Sequence, residues 1–92
     1  MKFEGVRISE LKAGENVNGL YMLKSAEIKI SSNKKTYIDM TLSDNTGDIP
    51  AKWWDAGEEQ FASLVPNRLF YVNARVDVWR DTMQLNVAEM RI

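Results

Sequence analysis

Between Thr36 and Trp54 the chain reads T-Y-I-D-M-T-L-S-D-N-T-G-D-I-P-A-K-W-W. Ile38, Met40 and Leu42 alternate with Tyr37, Asp39, Thr41 and Ser43, a period of two that turns one set toward a core and the other toward solvent. Asp44-Asn45-Thr46-Gly47 supplies turn chemistry, with side-chain acceptors early and then a glycine suited to a positive φ. Beyond the turn, Ile49, Ala51 and Trp53 make one face, while Pro50, Lys52 and Trp54 make the other. The pattern predicts a hairpin whose outer face carries Tyr37, Lys52 and Trp54, a surface suited to something flat and anionic. A slip of one residue would exchange Trp54 for Trp53 and Lys52 for Ala51.

Upstream, Gly14-Glu15-Asn16 punctuates the chain. A long strand is predicted over about 17–30, with Gly19 as its bend and Ala26, Ile28 and Ile30 on one side. Phe3, Val6, Ile8 and Leu11 can lay a short segment against the core, with a turn near Ile8–Leu11. Ser31–Lys35 is a polar loop with Lys34 and Lys35 at its tip. Downstream the period changes: Phe61, Leu64 and Val65 recur at i, i+3 and i+4, predicting a helix over about 56–65. Asp55 is its expected cap, and Pro66-Asn67 its stop. Two further strands follow, about 69–79 with Phe70, Val72, Ala74, Val76 and Val78 inward, and about 82–90 with Met83, Leu85 and Val87 inward, joined at Arg80-Asp81-Thr82.

Strands are thus expected at about 17–30, 36–44, 48–54, 69–79 and 82–90. A helix between the third and fourth strands of a small all-β chain is OB-fold connectivity. The expectation is a single domain over 1–92, a five-stranded OB-fold Greek-key barrel with one helix.

The 92 residues hold no cysteine and no histidine, which removes disulfides, thiolate metal sites, the commonest metal ligand and the usual general base. Asp39, Asp44 and Asp48 lie close in sequence, but the last two bracket a turn and read as turn formers. No catalytic constellation, metal site or cofactor is expected. The apolar runs fall far short of the ~18 residues of a membrane span, and a cytoplasmic protein is expected. Twelve basic residues against thirteen acidic give a net charge of −1, and the isoelectric point near 5.4 is unlike that of a strongly basic nucleic-acid binder. The charge is segregated, however: Lys24, Lys29, Lys34 and Lys35 face a single acid, Glu27, within residues 24–35.

Rings and cations on one face point to single-stranded nucleic acid, since a base stacks on an aromatic ring whatever its identity. Trp54 leads, with Tyr37 as its cross-strand partner and Trp79 at the last turn. Lys52, Arg75 and Arg80 beside them, with Lys34 and Lys35 in the first loop, fit phosphate contacts. Gln84 and Asn86 can reach base edges. For each the plainer alternative stands: Trp54 packed under the helix, Trp79 as a rim cover, and Arg75 paired with Asp39 or Asp77.

The segment L-K-S-A-E-I-K-I-S-S-N-K-K-T-Y-I-D-M-T-L-S-D-N-T-G-D-I-P-A-K-W-W-D, Leu23 to Asp55, resembles the N-terminal OB-fold of the YhaM-type 3′–5′ exoribonucleases. The shared features are K-S-x-x-I-K at Lys24–Lys29, L-x-D-x-x-G-x-I-x-A-K at Leu42–Lys52, and Trp54-Asp55. The resemblance implies that a metal-dependent HD-type nuclease domain, absent from this chain, performs the hydrolysis. It also places the cation and stacking ring of the third strand on Lys52 and Trp54. That family often has Asn-Gly where this chain has Asn33-Lys34, predicting a more basic and less tight loop. The expected function is a single-stranded nucleic-acid binding module, RNA favoured and DNA allowed, with little sequence specificity, presenting its strand to a separate nuclease domain. The alternative is an OB-fold that uses the same rings for protein–protein contact or oligomerisation.

Overall fold

A computed structural model describes residues 5–92; Phe3 lies outside them. A 3₁₀ turn, Ile8–Glu10, precedes β1 (Asn16–Ile30), β2 (Thr36–Asp44), β3 (Gly47–Trp54), α1 (Glu58–Ala62), β4 (Leu69–Trp79) and β5 (Thr82–Arg91). The strands close a barrel in the order β1-β2-β3-β5-β4, the OB-fold topology, with the helix between β3 and β4. All neighbouring strands are antiparallel except β3 and β5, whose parallel seam rests on Ala51↔Leu85 and Lys52↔Asn86.

β1 closes the barrel by serving two neighbours. Asn16–Met22 pairs with β4, and Met22–Ile30 pairs with β2. The ladder slips between Leu23 and Ser25, so the bend lies at Lys24 and not at Gly19. An extra residue there increases local twist and lets one strand turn from one sheet direction to the next. Gly19 has a different use: a Cβ on Gly5, itself at φ +97°, would lie 2.7 Å from the Gly19 Cα and 2.7 Å from the Asn18 carbonyl oxygen. The N-terminal segment therefore runs backbone to backbone across β1. Buried Tyr21 holds it there by donating its hydroxyl proton to the Val6 carbonyl. Burial, helped by nearby Asp44, pushes the Tyr21 pKa up to about 12, since a phenolate there would lose its hydration.

The core is made of the inward rows: Val17, Tyr21 and Leu23; Ile38, Met40 and Leu42; Ile49 and Ala51; Phe70, Val72, Ala74 and Val76; Leu85 and Val87, sealed by Ile8 and Leu11. Three residues expected inward are not. Val78 is 53 % exposed and Met83 36 % exposed, because the β4–β5 hairpin outruns the barrel and its tip has nothing to pack against. Ile30, 71 % exposed, sits at the tip of the β1–β2 hairpin, opposite Thr36.

Two turns also differ from expectation. Asp44 pairs with Gly47, so the loop is Asn45–Thr46, and Gly47 starts β3 without a positive φ. The left-handed positions belong instead to Lys34, Asp55, Asn67, Arg80 and Asp81. The first loop is tight, contrary to the reading of its Asn-Lys tip. The Ser31 amide donates to the Lys35 carbonyl at 2.8 Å and the Lys34 amide to the Ser31 carbonyl at 2.9 Å, with Lys34 itself at φ 63°.

The helix has five residues rather than ten. Its N-cap is Gly57, not Asp55, and Gln60 Oε1 accepts the Gly57 amide at 2.9 Å. Ser63 ends it by turning its hydroxyl back onto the Gln60 carbonyl at 2.7 Å, a local bond that competes with helix propagation. Val65, preceding Pro66, is in any case biased away from helical geometry. Leu64 is buried and Phe61 half-buried, but Val65 is exposed.

Candidate nucleic-acid interface

The β2–β3 register pairs Tyr37 with Trp54, Ile38 with Trp53, and Asp39 with Lys52. Alternation then directs Tyr37, Lys52 and Trp54 outward, while Trp53 packs against the core. The Tyr37 and Trp54 rings lie 4.6 Å apart between centroids and tilt by 32°. Trp54 remains 43 % exposed. The Lys52 ammonium stands 5.9 Å from the centre of the Tyr37 ring, within cation–π range. One aromatic platform and one cation thus share a rigid two-strand base.

The ten residues singled out from sequence separate into three groups. Tyr37, Lys52 and Trp54 are contiguous. Arg75 joins them through Asn86, which pairs with Lys52 on one side and Arg75 on the other. Gln84, half-buried, lies two residues along β5 from Asn86, opposite Asp77. Lys34 and Lys35 lie in the loop just beyond the Ile30↔Thr36 pair, at the Tyr37–Trp54 end of the face. Trp79 and Arg80 lie at the other end, since β5 runs parallel to β3 and its first residues point toward Gly47. There Trp79 is 60 % exposed, with the Arg80 guanidinium 5.3 Å from its ring centre. Two ring-and-cation stations therefore bracket a polar middle.

Carboxylates answer several of the cations. Lys24 pairs with Asp48 at 2.7 Å, Lys29 with Asp39 at 2.8 Å, Lys52 with Asp39 at 3.6 Å, and Arg75 with Asp77 at 3.4 Å. The basic run of residues 24–35 is half answered in this way. Among the described residues, Lys34, Lys35 and Arg80 are in no such pair. Partial burial pushes the Asp39 pKa up, but the hydrogen bond from Lys29 and the charge of Lys52 outweigh it, and the carboxyl sits below its ordinary 3.8. The Lys29 ammonium is correspondingly raised, first by its hydrogen bond to Asp39.

Lys29 is not among the residues singled out from sequence. It pairs with Tyr37, so it lies beside the platform, and the signal was available: counting back from Ile30 opposite Thr36 puts Lys29 there. Asp44 is the turn former it was read to be, and more. It accepts from the Thr46 amide at 2.8 Å and hydroxyl at 2.6 Å, and from the Ile8 amide at 2.8 Å. The long-range bond to Ile8 had no sequence signal.

Residues 17–92 match the tRNA anti-codon family, described as an OB-fold nucleic acid binding domain. The chain belongs to this family. It is 34 % identical over 80 residues to the 3′-5′ exoribonuclease YhaM of Shouchella clausii, covering 87 % of this chain and 25 % of that protein. It is also 34 % identical over 85 residues to YhaM of a Geobacillus species, covering 92 % and 26 %. The chain therefore spans about a quarter of the length of the curated relatives it matches. Among solved structures, the second OB-fold domain of replication protein A from Methanococcus maripaludis superposes with a TM-score of 0.71 at 17 % identity, covering 95 % of this chain and 92 % of that one. At that identity the likeness is one of fold.

Proposed function

We propose that this OB-fold grips single-stranded nucleic acid, RNA in preference to DNA, across the β2–β3–β5 face. The observation that carries the reading is the exposed Tyr37–Trp54 ring pair with Lys52 beside it. Stacking on such a platform contributes ~1–3 kcal/mol per base and tolerates any base. Trp79 with Arg80 supports a second stacking station, and Lys34 and Lys35 supply phosphate contacts at the near end. Arg75, Gln84 and Asn86 line the path between. The relatives' name favours RNA and a role in presenting a strand to a separate 3′–5′ exoribonuclease region; hydrolysis is assigned to that region and not to this chain.

The exposed apolar tip of Val78, Trp79 and Met83 favours a second reading, contact with another protein copy. Ionic strength separates the two, because nucleic-acid binding releases counterions and weakens steeply with salt. Titration of oligo-U and oligo-dT against tryptophan fluorescence, with Trp54→Ala beside the parent, tests the proposal. Quenching that is tighter for oligo-U, falls with salt and is weakened about 5- to 100-fold by the substitution is the expected result. No quenching of the parent at low salt defeats it, and sedimentation that changes with protein concentration then supports the protein contact.

A further inference from the structure

The middle of the proposed binding face is not simply basic. A row of paired residues crosses it as Glu27, Asp39, Lys52, Asn86 and Arg75. Asp39 is the second of the five, ion-paired with both Lys29 and Lys52. A shallow groove of about 250 Å³ opens beside it, lined by Ser25, Glu27, Lys29, Asp39, Thr41 and Pro50 among others. The groove meets the ring platform at Lys29, which pairs with Tyr37. Asp39 follows Tyr37 by two residues on one face, roughly 7 Å along the strand, about the stride of one nucleotide.

A half-buried carboxylate within a phosphate-binding surface has two effects. It occupies Lys29 and Lys52, so part of their charge is withheld from phosphate. It also offers acceptor lone pairs: a carboxylate has about four, and the two lysines use only some of them. The partner it favours is therefore a base edge rich in donors, not a phosphate oxygen. Guanine alone presents two adjacent donors, N1–H and N2–H, matched to the two oxygens of one carboxylate. Adenine and cytosine each present a single amino group, and uracil's imino donor stands between two carbonyl acceptors that a carboxylate repels.

We infer that Asp39 is a specificity-determining residue that selects guanine for the nucleotide next to the one stacked on Tyr37 and Trp54. This rests on the function proposed above: stacking and phosphate contacts supply affinity that tolerates any sequence, and Asp39 adds preference at one position. Lys29 and Lys52 serve it twice, keeping the carboxylate ionised and neutralising it when a base lies over it. Carboxyl protonation would remove the acceptor, and the depressed Asp39 pKa keeps that outside neutral conditions.

The test compares uridine nonamers carrying one central guanosine, inosine, adenosine or cytidine, titrated against the chain and against Asp39→Asn and Glu27→Gln. The guanosine nonamer binds the parent about tenfold more tightly than all-uridine, toward the low end of what one bidentate base contact discriminates. Inosine, lacking the N2 amino group, falls between. Asp39→Asn abolishes the guanosine preference while tightening the all-uridine nonamer, because Lys29 and Lys52 turn to phosphate. Its log–log salt slope steepens by up to about 1.4, roughly 0.7 for each released cation on a single strand. Glu27→Gln, which only walls the groove, keeps the preference. Equal affinity of the parent for all nonamers overturns the inference and leaves strand binding intact. Equal weakening of every nonamer by Asp39→Asn, with the guanosine ratio kept, reduces Asp39 to a structural role and also overturns it. Failure of the parent to bind any nonamer removes the binding function and the inference with it.

Discussion

The β2–β3 and β4–β5 hairpins both close on two-residue turns, and both carry a tryptophan beside a cation, yet they are held very differently. The turn of β2–β3 is fastened to the rest of the molecule. Asp44 ties it to the Ile8 amide, and the Ser9 amide donates to Thr46 Oγ1 at 3.1 Å. Its ring pair stands on strands whose inward side chains are buried. The β4–β5 tip turns on Arg80 and Asp81, both left-handed at φ 50° and 62°, and carries Val78, Trp79 and Met83 exposed. Equal local chemistry thus gives one preorganised platform and one projecting finger. A ring fixed in place loses less entropy on stacking than one that must be ordered at that moment, so under the proposed function the first station would be the principal grip and the second an accessory.

Asp44→Ala tests the anchoring and carries the largest expected effect. It removes an ionised acceptor of three hydrogen bonds, each charge-assisted, and is expected to cost about 3 kcal/mol, a fall in Tm on the order of 15 °C for a domain of this size. Burial raises the Asp44 pKa, but the bonds from Thr46 and Ile8 together bring it below its ordinary 3.8. The associated stability is therefore present above the ordinary carboxyl pKa and is lost as pH falls through the lower folded value. Thermal unfolding across pH should show parent and variant converging below about pH 4. An unchanged Tm at neutral pH would mean that the turn does not depend on this anchor.

Trp79→Ala is the next largest. Binding to oligo-U should weaken by about fivefold, the lower limit of base stacking, and by less than for Trp54→Ala. Folding stability should shift by no more than ~0.5 kcal/mol, as for an exposed side chain. If Trp79→Ala proves the costlier of the two in a fluorescence or anisotropy titration, the ranking of platform over finger is reversed.

The smallest effect concerns the turn itself. Glycine suits the second position of a two-residue turn with both φ values positive, so Asp81→Gly should stabilise by ~0.5 kcal/mol through relief of its left-handed backbone. Scanning calorimetry would register this as a rise in Tm of a few degrees. A fall instead would show that the Asp81 side chain holds a contact the backbone strain conceals.

Period-two alternation made the strands legible because each barrel strand has one dry face and one wet face, and Ile38, Met40 and Leu42 record that directly. The same alternation placed Tyr37, Lys52 and Trp54 outward. It failed at Val78, Met83 and Ile30, where the alternation continues but the barrel does not. The helix was overread because Phe61, Leu64 and Val65 satisfy a helical spacing that Ser63 and Pro66 interrupt. Within residues 24–35 the charge run meets one acid, Glu27, whereas Asp39 and Asp48, outside that stretch, pair with two of its lysines.

By itself, then, the sequence determined which residues face inward, where the chain turns, and which rings and cations share the β2–β3 face. Those are local matters, fixed by side-chain period and turn chemistry. Only the tertiary structure decided which carboxylate meets which lysine, where β1 slips register to close the barrel, and how far the last hairpin reaches beyond it. Each depends on residues brought together across the fold, as Asp44 is with Ile8, and no spacing along the chain encodes that.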